Sequence, residues 1–86
     1  MVKKYRKKPV EIDAVQWTGS AESLSEVFNF CDSTRVVVTD GTKKVLIPTP
    51  GGDQFVDVGD YIIKGTKGEF YPCKPDIFAV VHEEVD

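Results

Sequence analysis

Residues 59–78 read GDYIIKGTKGEFYPCKPDIF and hold three glycines, two prolines, four aromatic residues, three lysines and one of the two cysteines. So many conformationally demanding residues in one short stretch require a backbone of definite shape. Tyr61-Ile62-Ile63 has the β-branched and aromatic character of a strand, and Lys64-Gly65-Thr66-Lys67-Gly68 supplies the positive-φ options of a tight reversal. Glu69-Phe70-Tyr71 returns as the partner strand until Pro72, which brings no ladder donor. The expected product is a β-hairpin with Lys64 and Lys67 at its tip and Tyr71 and Lys74 just beyond it.

Working outward, Gln54 to Val58 reads as a further short strand, with Val58-Gly59-Asp60 as the turn into the hairpin. Downstream, Pro75-Asp76 starts a helical turn carrying Ile77 and Phe78, and Ala79 to Val85 is expected to close as an edge strand. Upstream, Arg35 to Thr39 is a strand, Asp40-Gly41 is the two-residue type I′ signal, and Thr42 to Ile47 returns. Pro48-Thr49-Pro50-Gly51-Gly52 is expected to form a surface loop.

In the N-terminal half, Val10, Ile12 and Ala14 alternate with Glu11 and Asp13, which predicts a strand with one wet face. Val15 and Trp17 break that parity, so either a bulge lies near Ala14 or the end of the strand is covered on both sides. Trp17 is expected to be buried. Ser23 and Glu26 have capping-box spacing, with Ser20 as an alternative cap one turn earlier. Leu24, Val27, Phe28 and Cys31 then form one helical stripe, with Phe30 at its edge. The order of elements predicts an α+β fold: one helix packed on a curved, mostly antiparallel sheet or partial barrel. Residues 1–86 are expected to form a single domain with a basic N-terminal arm, residues 1–8.

The formal net charge is −3, which argues against general nucleic-acid binding. Lys3, Lys4, Arg6, Lys7 and Lys8 all lie in the arm, so the remaining chain carries 6 of the 11 basic residues against all 14 acidic ones, a net of −8. No apolar run has membrane-spanning length and no signal-peptide core follows the basic start, so a cytosolic protein with no membrane association is expected.

No catalytic or metal-binding constellation is visible. His82 lies beside Glu83 and Glu84, the serines fall in capping or turn contexts, and Asp57 and Asp60 have no second acidic partner spaced for a calcium loop. Cys31 and Cys73 lack zinc-ligand spacing and read as buried thiols, although Lys74 beside Cys73 could favour a thiolate. Gly65-Thr66-Lys67-Gly68 has only part of the spacing of a phosphate loop. No cofactor is implied. What remains is a binding set: Lys64, Lys67, Tyr71 and Lys74, joined by Tyr5, Arg6 and Lys7 if the arm folds back. Cations beside aromatic faces suit an anionic, planar, nucleotide-like ligand. The alternative is that Ile62 and Phe70 fill core while the lysines keep the hairpin soluble.

The stretches KKYRKKPVEIDAVQWTG, residues 3–19, and GDYIIKGTKGEFYPCKPDIF, residues 59–78, resemble a family of small uncharacterised bacteriophage and prophage proteins. The resemblance skips roughly residues 21–55 and carries no activity, cofactor or catalytic residue with it. It implies a non-enzymatic accessory protein of the host bacterial cytoplasm that works by binding, with counter-defence as one such role. On that footing the expected function is sequestration of an anionic nucleotide-type signal, with pockets built between copies of a homo-oligomer. Inhibition of a host defence protein through the acidic surface, or a minor role in particle structure or assembly, are the alternatives.

Overall fold

The computed structural model describes residues 2–4, 11–31 and 34–82. Tyr5, Arg6, Lys7, most of the basic arm, Val10 at the start of the first expected strand, and residues 83–86 with their three acids lie outside them. Among the described residues the elements run β1 (Asp13–Gln16), α1 (Ala21–Phe30), β2 (Arg35–Thr39), β3 (Thr42–Thr49), β4 (Gly52–Val56), β5 (Tyr61–Lys64), β6 (Phe70–Cys73) and α2 (Pro75–Val81). The fold is α+β with antiparallel strands throughout. The strands divide into two three-stranded sheets, ordered β1-β5-β6 and β2-β3-β4, and no barrel closes.

The β2–β3 hairpin turns on Asp40 and Gly41, at φ +52° and +74°. Positive φ at both central residues is the type I′ requirement, and an aspartate followed by glycine meets it at low steric cost. Thr39 accordingly pairs with Thr42 and the register runs unbroken to Arg35 opposite Leu46.

Three local expectations are corrected. Pro48 to Gly52 is a second tight hairpin rather than a loop: β3 runs to Thr49, which pairs with Gly52 across Pro50-Gly51. Pro72 does not end its strand but pairs with Ile62. A proline is tolerated there because β6 is an edge strand, and its missing N–H can face away from the ladder. The segment from Ala79 is helical to Val81 rather than extended, because Pro75 at the start of α2 presets a helix that the following apolar run continues.

The core lies where the two sheets and α1 meet. Trp17 and Ile62 come from the first sheet, Val45, Ile47 and Val56 from the second, and Val27 and Cys31 from the helix side. Val15, Leu24, Phe30 and Phe70 pack around them. Val15 and Trp17 point inward without a bulge, since Ala14, Val15 and Gln16 pair in sequence with Ile63, Ile62 and Tyr61. The opposite face of the strand end, at Ala14 and Gln16, is half-buried, and burial of Trp17 is as expected. Its indole N–H donates to the Lys43 carbonyl at 3.4 Å and ties β1 to the other sheet.

Ser20 caps α1, its side chain accepting from the Ser23 N–H at 3.0 Å. Ser23 lies inside the helix and is buried. Phe28, expected in the buried stripe, is exposed; Phe30 turns inward and meets Phe70 edge-on at 5.6 Å.

Candidate functional site

The residues singled out in the β5–β6 region do not form one surface. Side chains alternate across a strand, and the register pairs Lys64 with Phe70 and Ile63 with Tyr71. Lys64 and Phe70 therefore share the face that carries buried Ile62, and Tyr71 projects from the opposite one. The Lys64 ammonium lies 6.0 Å from the Phe70 ring centroid. Ile62 fills core and Phe70 packs against it, as the structural alternative anticipated.

The tip of this hairpin is folded on itself. Gly65 N–H donates to the Glu69 carbonyl at 2.7 Å, Gly68 N–H to the Gly65 carbonyl at 3.0 Å, and Lys67 N–H to Glu69 Oε1 at 3.4 Å. A Cβ at Gly65 would displace the Glu69 carboxylate, which receives the Lys67 N–H. These N–H groups serve Glu69 and the turn itself, so the loop does not present them to a phosphate. Lys67 remains exposed beside that carboxylate.

Lys74 is committed elsewhere. Its ammonium lies 3.0 Å from Asp60 Oδ2 and 3.1 Å from Asp57 Oδ2, and Lys44 reaches Asp57 Oδ1 at 3.2 Å. Asp60 is buried; its carboxylate also accepts from the Asp57 N–H, while its backbone carbonyl accepts from the Trp17 N–H at 2.9 Å. This ionic group joins β3, the turn before β5 and the start of α2. Hydrogen bonds from Lys74 and Lys44 hold the Asp57 carboxyl below its ordinary range, and those to Asp60 and Asp57 raise the Lys74 ammonium above its own.

Cys73 follows the same logic. Desolvation first, then the negative charges of Asp60 and Asp76, push its thiol above the ordinary value of 9.0. The neighbouring Lys74 cannot activate it, because that ammonium sits on the aspartates, and the thiol itself lies 3.6 Å from the Lys74 carbonyl. Neither cysteine is in a disulfide. No group of three or more potential metal ligands comes together among the described residues.

Two surfaces among the described residues bear on ligand binding. The first is an open cleft of about 280 Å³ between the tips of the β3–β4 and β5–β6 hairpins, lined by Pro48, Thr49, Pro50, Glu69 and Phe70. The second is α2. Phe78 stacks on Tyr61 with ring centroids 3.8 Å apart and planes 4° apart, and His82 stacks on Phe78 at 4.5 Å. That ring stack anchors a helix with no buried residue, leaving Ile77, Val80 and Val81 exposed. The signal for this surface was present in the sequence: PDIFAVV has no polar residue after Asp76, so a helix there cannot hide all its apolar side chains.

No helix among the described residues is long and apolar enough to cross a membrane. Comparison with protein-family models, curated proteins and solved structures finds no match to this chain.

Proposed function

We propose that this chain is a non-catalytic binding module whose principal ligand is another protein, engaged through α2. The observation that carries this reading is the exposure of an apolar helix: Val80 is 87% exposed, with Ile77 and Val81 open beside it. Burying such a side chain is worth about 1.5–3 kcal/mol relative to leaving it in water. A hydrophobic groove on a partner recovers that energy, which is the helix-in-groove mode of recognition. Asp76 lies in the first turn of α2, and Glu83, Glu84 and Asp86 follow the helix in sequence. A basic rim around the partner's groove complements them and makes association sensitive to salt. The resemblance to bacteriophage and prophage proteins makes a host cytoplasmic protein, defence components included, the first class to test.

The test is capture from bacterial lysate at low and high salt by the immobilised chain. Val80→Asp is expected to abolish the captured species, whereas Val2→Asp, at an equally open position, leaves it in place. Capture unchanged by both Val80→Asp and Ile77→Asp removes this reading.

A second reading rests on the Lys64–Phe70 pair beside the cleft. A nucleotide base can stack on Phe70 between Pro48 and Pro50, with its phosphate toward Lys64 and Lys67. The volume, 280 Å³, falls just below the roughly 300–1,000 Å³ of small-molecule sites. One ring fits, so holding a whole nucleotide requires a surface from a second copy, and Glu69 on the cleft wall opposes the phosphate. Calorimetric titration with mono- and cyclic dinucleotides decides: heat lost in Lys64→Ala and Lys67→Ala supports sequestration, and no heat from any nucleotide removes it.

A further inference from the structure

β2 is an edge strand of the β2-β3-β4 sheet, and its sequence, RVVVT, has little of the usual protection of such an edge beyond its short length and Arg35 at one end. It contains no proline or lysine, and its register with β3 runs one residue to one without a bulge. The type I′ turn determines which backbone groups it leaves open. In a two-residue hairpin the residues flanking the turn exchange both backbone hydrogen bonds, and bonded and non-bonded pairs alternate from there. Arg35, Val37 and Thr39 therefore direct their N–H and C=O groups to β3, and those of Val36 and Val38 point outward from the sheet.

The side chains tell a parallel story. Val36 lies opposite Val45 on the face of the sheet that carries the core, and Val38 shares that face. Yet Val36 is 39% exposed and Val38 65%. The core face thus runs out at this edge with two β-branched side chains uncovered.

We infer that β2 pairs with β2 of a second copy of this chain, antiparallel and centred on Val37, joining the two β2-β3-β4 sheets into one continuous sheet across a two-fold axis. The register is self-complementary. Val36 of each copy lies opposite Val38 of the other, and these are the residues whose backbone groups face outward, so four N–H···O=C bonds close across the axis. The two Val37 residues meet as a non-hydrogen-bonded pair, the closer of the two kinds. Arg35, the only charged residue in β2, falls opposite the partner's Thr39, so no like charges meet. A centre on any other residue leaves part of the five-residue strand unpaired. The interface is isologous, as two-fold dimers require. One short strand pair buries less than the roughly 1,200–2,000 Å² of a standard interface, so the dimer is concentration-dependent rather than obligate. The inference is independent of the partner proposed for α2, which is anchored on the other sheet through Tyr61.

The experiment is sedimentation equilibrium of the full chain over a range of concentrations, with and without Val38→Lys. The parent is expected to show a monomer–dimer equilibrium. The variant, which places one ammonium at each Val36–Val38 pair, is expected to weaken it by at least about tenfold. Circular dichroism reports whether the variant is folded. The register is tested separately by cysteine substitution in a Cys73→Ser background. Val37→Cys is expected to form a disulfide-linked dimer on mild oxidation much faster than Val38→Cys, because only Val37 faces its own counterpart. A monomer at every concentration, a dimer indifferent to Val38→Lys, or equal cross-linking of the two cysteine variants overturns the proposal. Should Val38→Lys fail to fold, the cross-linking pair decides alone.

Discussion

Lys74 and Asp60, 14 residues apart in the chain, meet at 3.0 Å, and the carboxylate in this pair is buried. A cation that sequence reasoning would offer to a ligand is here the counter-ion of an internal carboxylate. Its placement is structural, because a buried carboxylate stripped of cation and hydrogen bonds is costly to keep charged.

The lysines of the β5–β6 region should therefore behave differently under substitution. Asp60→Ala removes the acceptor for both the Asp57 N–H and Lys74 and should destabilise the fold by about 1–3 kcal/mol. Lys74→Ala should also lower stability, since it leaves the Asp60 carboxylate without its cation. Lys64→Ala and Lys67→Ala should stay within about 0.5 kcal/mol of the parent, as exposed positions do. Urea denaturation of the four variants measures all of these.

The pH dependence of stability has a sign on each side. The Asp57 carboxyl is held below its ordinary value of 3.8 by Lys74 and Lys44, so its contribution is present above that value and disappears as pH falls through the lower, folded pKa. Lys74 is raised above 10.5 by Asp60 and Asp57, and Cys73 above 9.0 by burial first and then by Asp60 and Asp76. Their contributions are intact below those ordinary values and are lost as pH rises through the folded ones. Melting temperature should thus be flat near neutrality and fall below about pH 4 and above about pH 9. In Cys73→Ser the alkaline fall should begin later.

Ser23 should matter more than the cap it helps to complete. Its hydroxyl accepts from the Thr18 N–H at 2.9 Å and donates to the Gln16 carbonyl at 2.9 Å, joining α1 to the end of β1. Ser23→Ala leaves both backbone groups without that partner in a covered site, an expected loss of about 1–3 kcal/mol. Ser20→Ala, which removes the N-cap and an exposed hydroxyl contact with Thr18 at 3.1 Å, should cost about 0.5–2 kcal/mol. A denaturation experiment in which Ser20→Ala is clearly the more damaging change would contradict this ordering.

Gly41→Ala should cost about 1–2 kcal/mol, because an L side chain is strained at φ +74° although the space around it is empty. Asp40→Asn, a residue equally at home at positive φ, should be close to neutral. Thermal melts of the two variants separate this backbone effect from any loss of contacts.

How far such behaviour could be read from sequence varied by element. Asp40-Gly41 declared its hairpin because the turn's φ requirement is met by few residue pairs. Trp17 was legible as core from the broken alternation around it, and Ser20 as one of two caps. Pro48-Thr49-Pro50-Gly51-Gly52 was not legible: the same residues suit a loop and a tight turn, and cross-strand pairing of Thr49 with Gly52 chooses between them. Helical spacing placed Phe28 in the buried stripe and Phe30 only at its edge; the structure exposes Phe28 and turns Phe30 inward onto Phe70.

The sequence by itself determined the α+β class, two of the three antiparallel hairpins, the first helix and most of the core, because periodicity, turn chemistry and apolar spacing are local and agree with one another. Only the tertiary structure decided the fate of the functional candidates. It split Lys64 from Tyr71 by the pleat, drew Lys74 onto Asp57 and Asp60, and left α2 and the edge of β2 uncovered. Those outcomes depend on strand register and on which charges end within about 4 Å of one another, distances that residues far apart in the chain acquire only when the whole chain is folded.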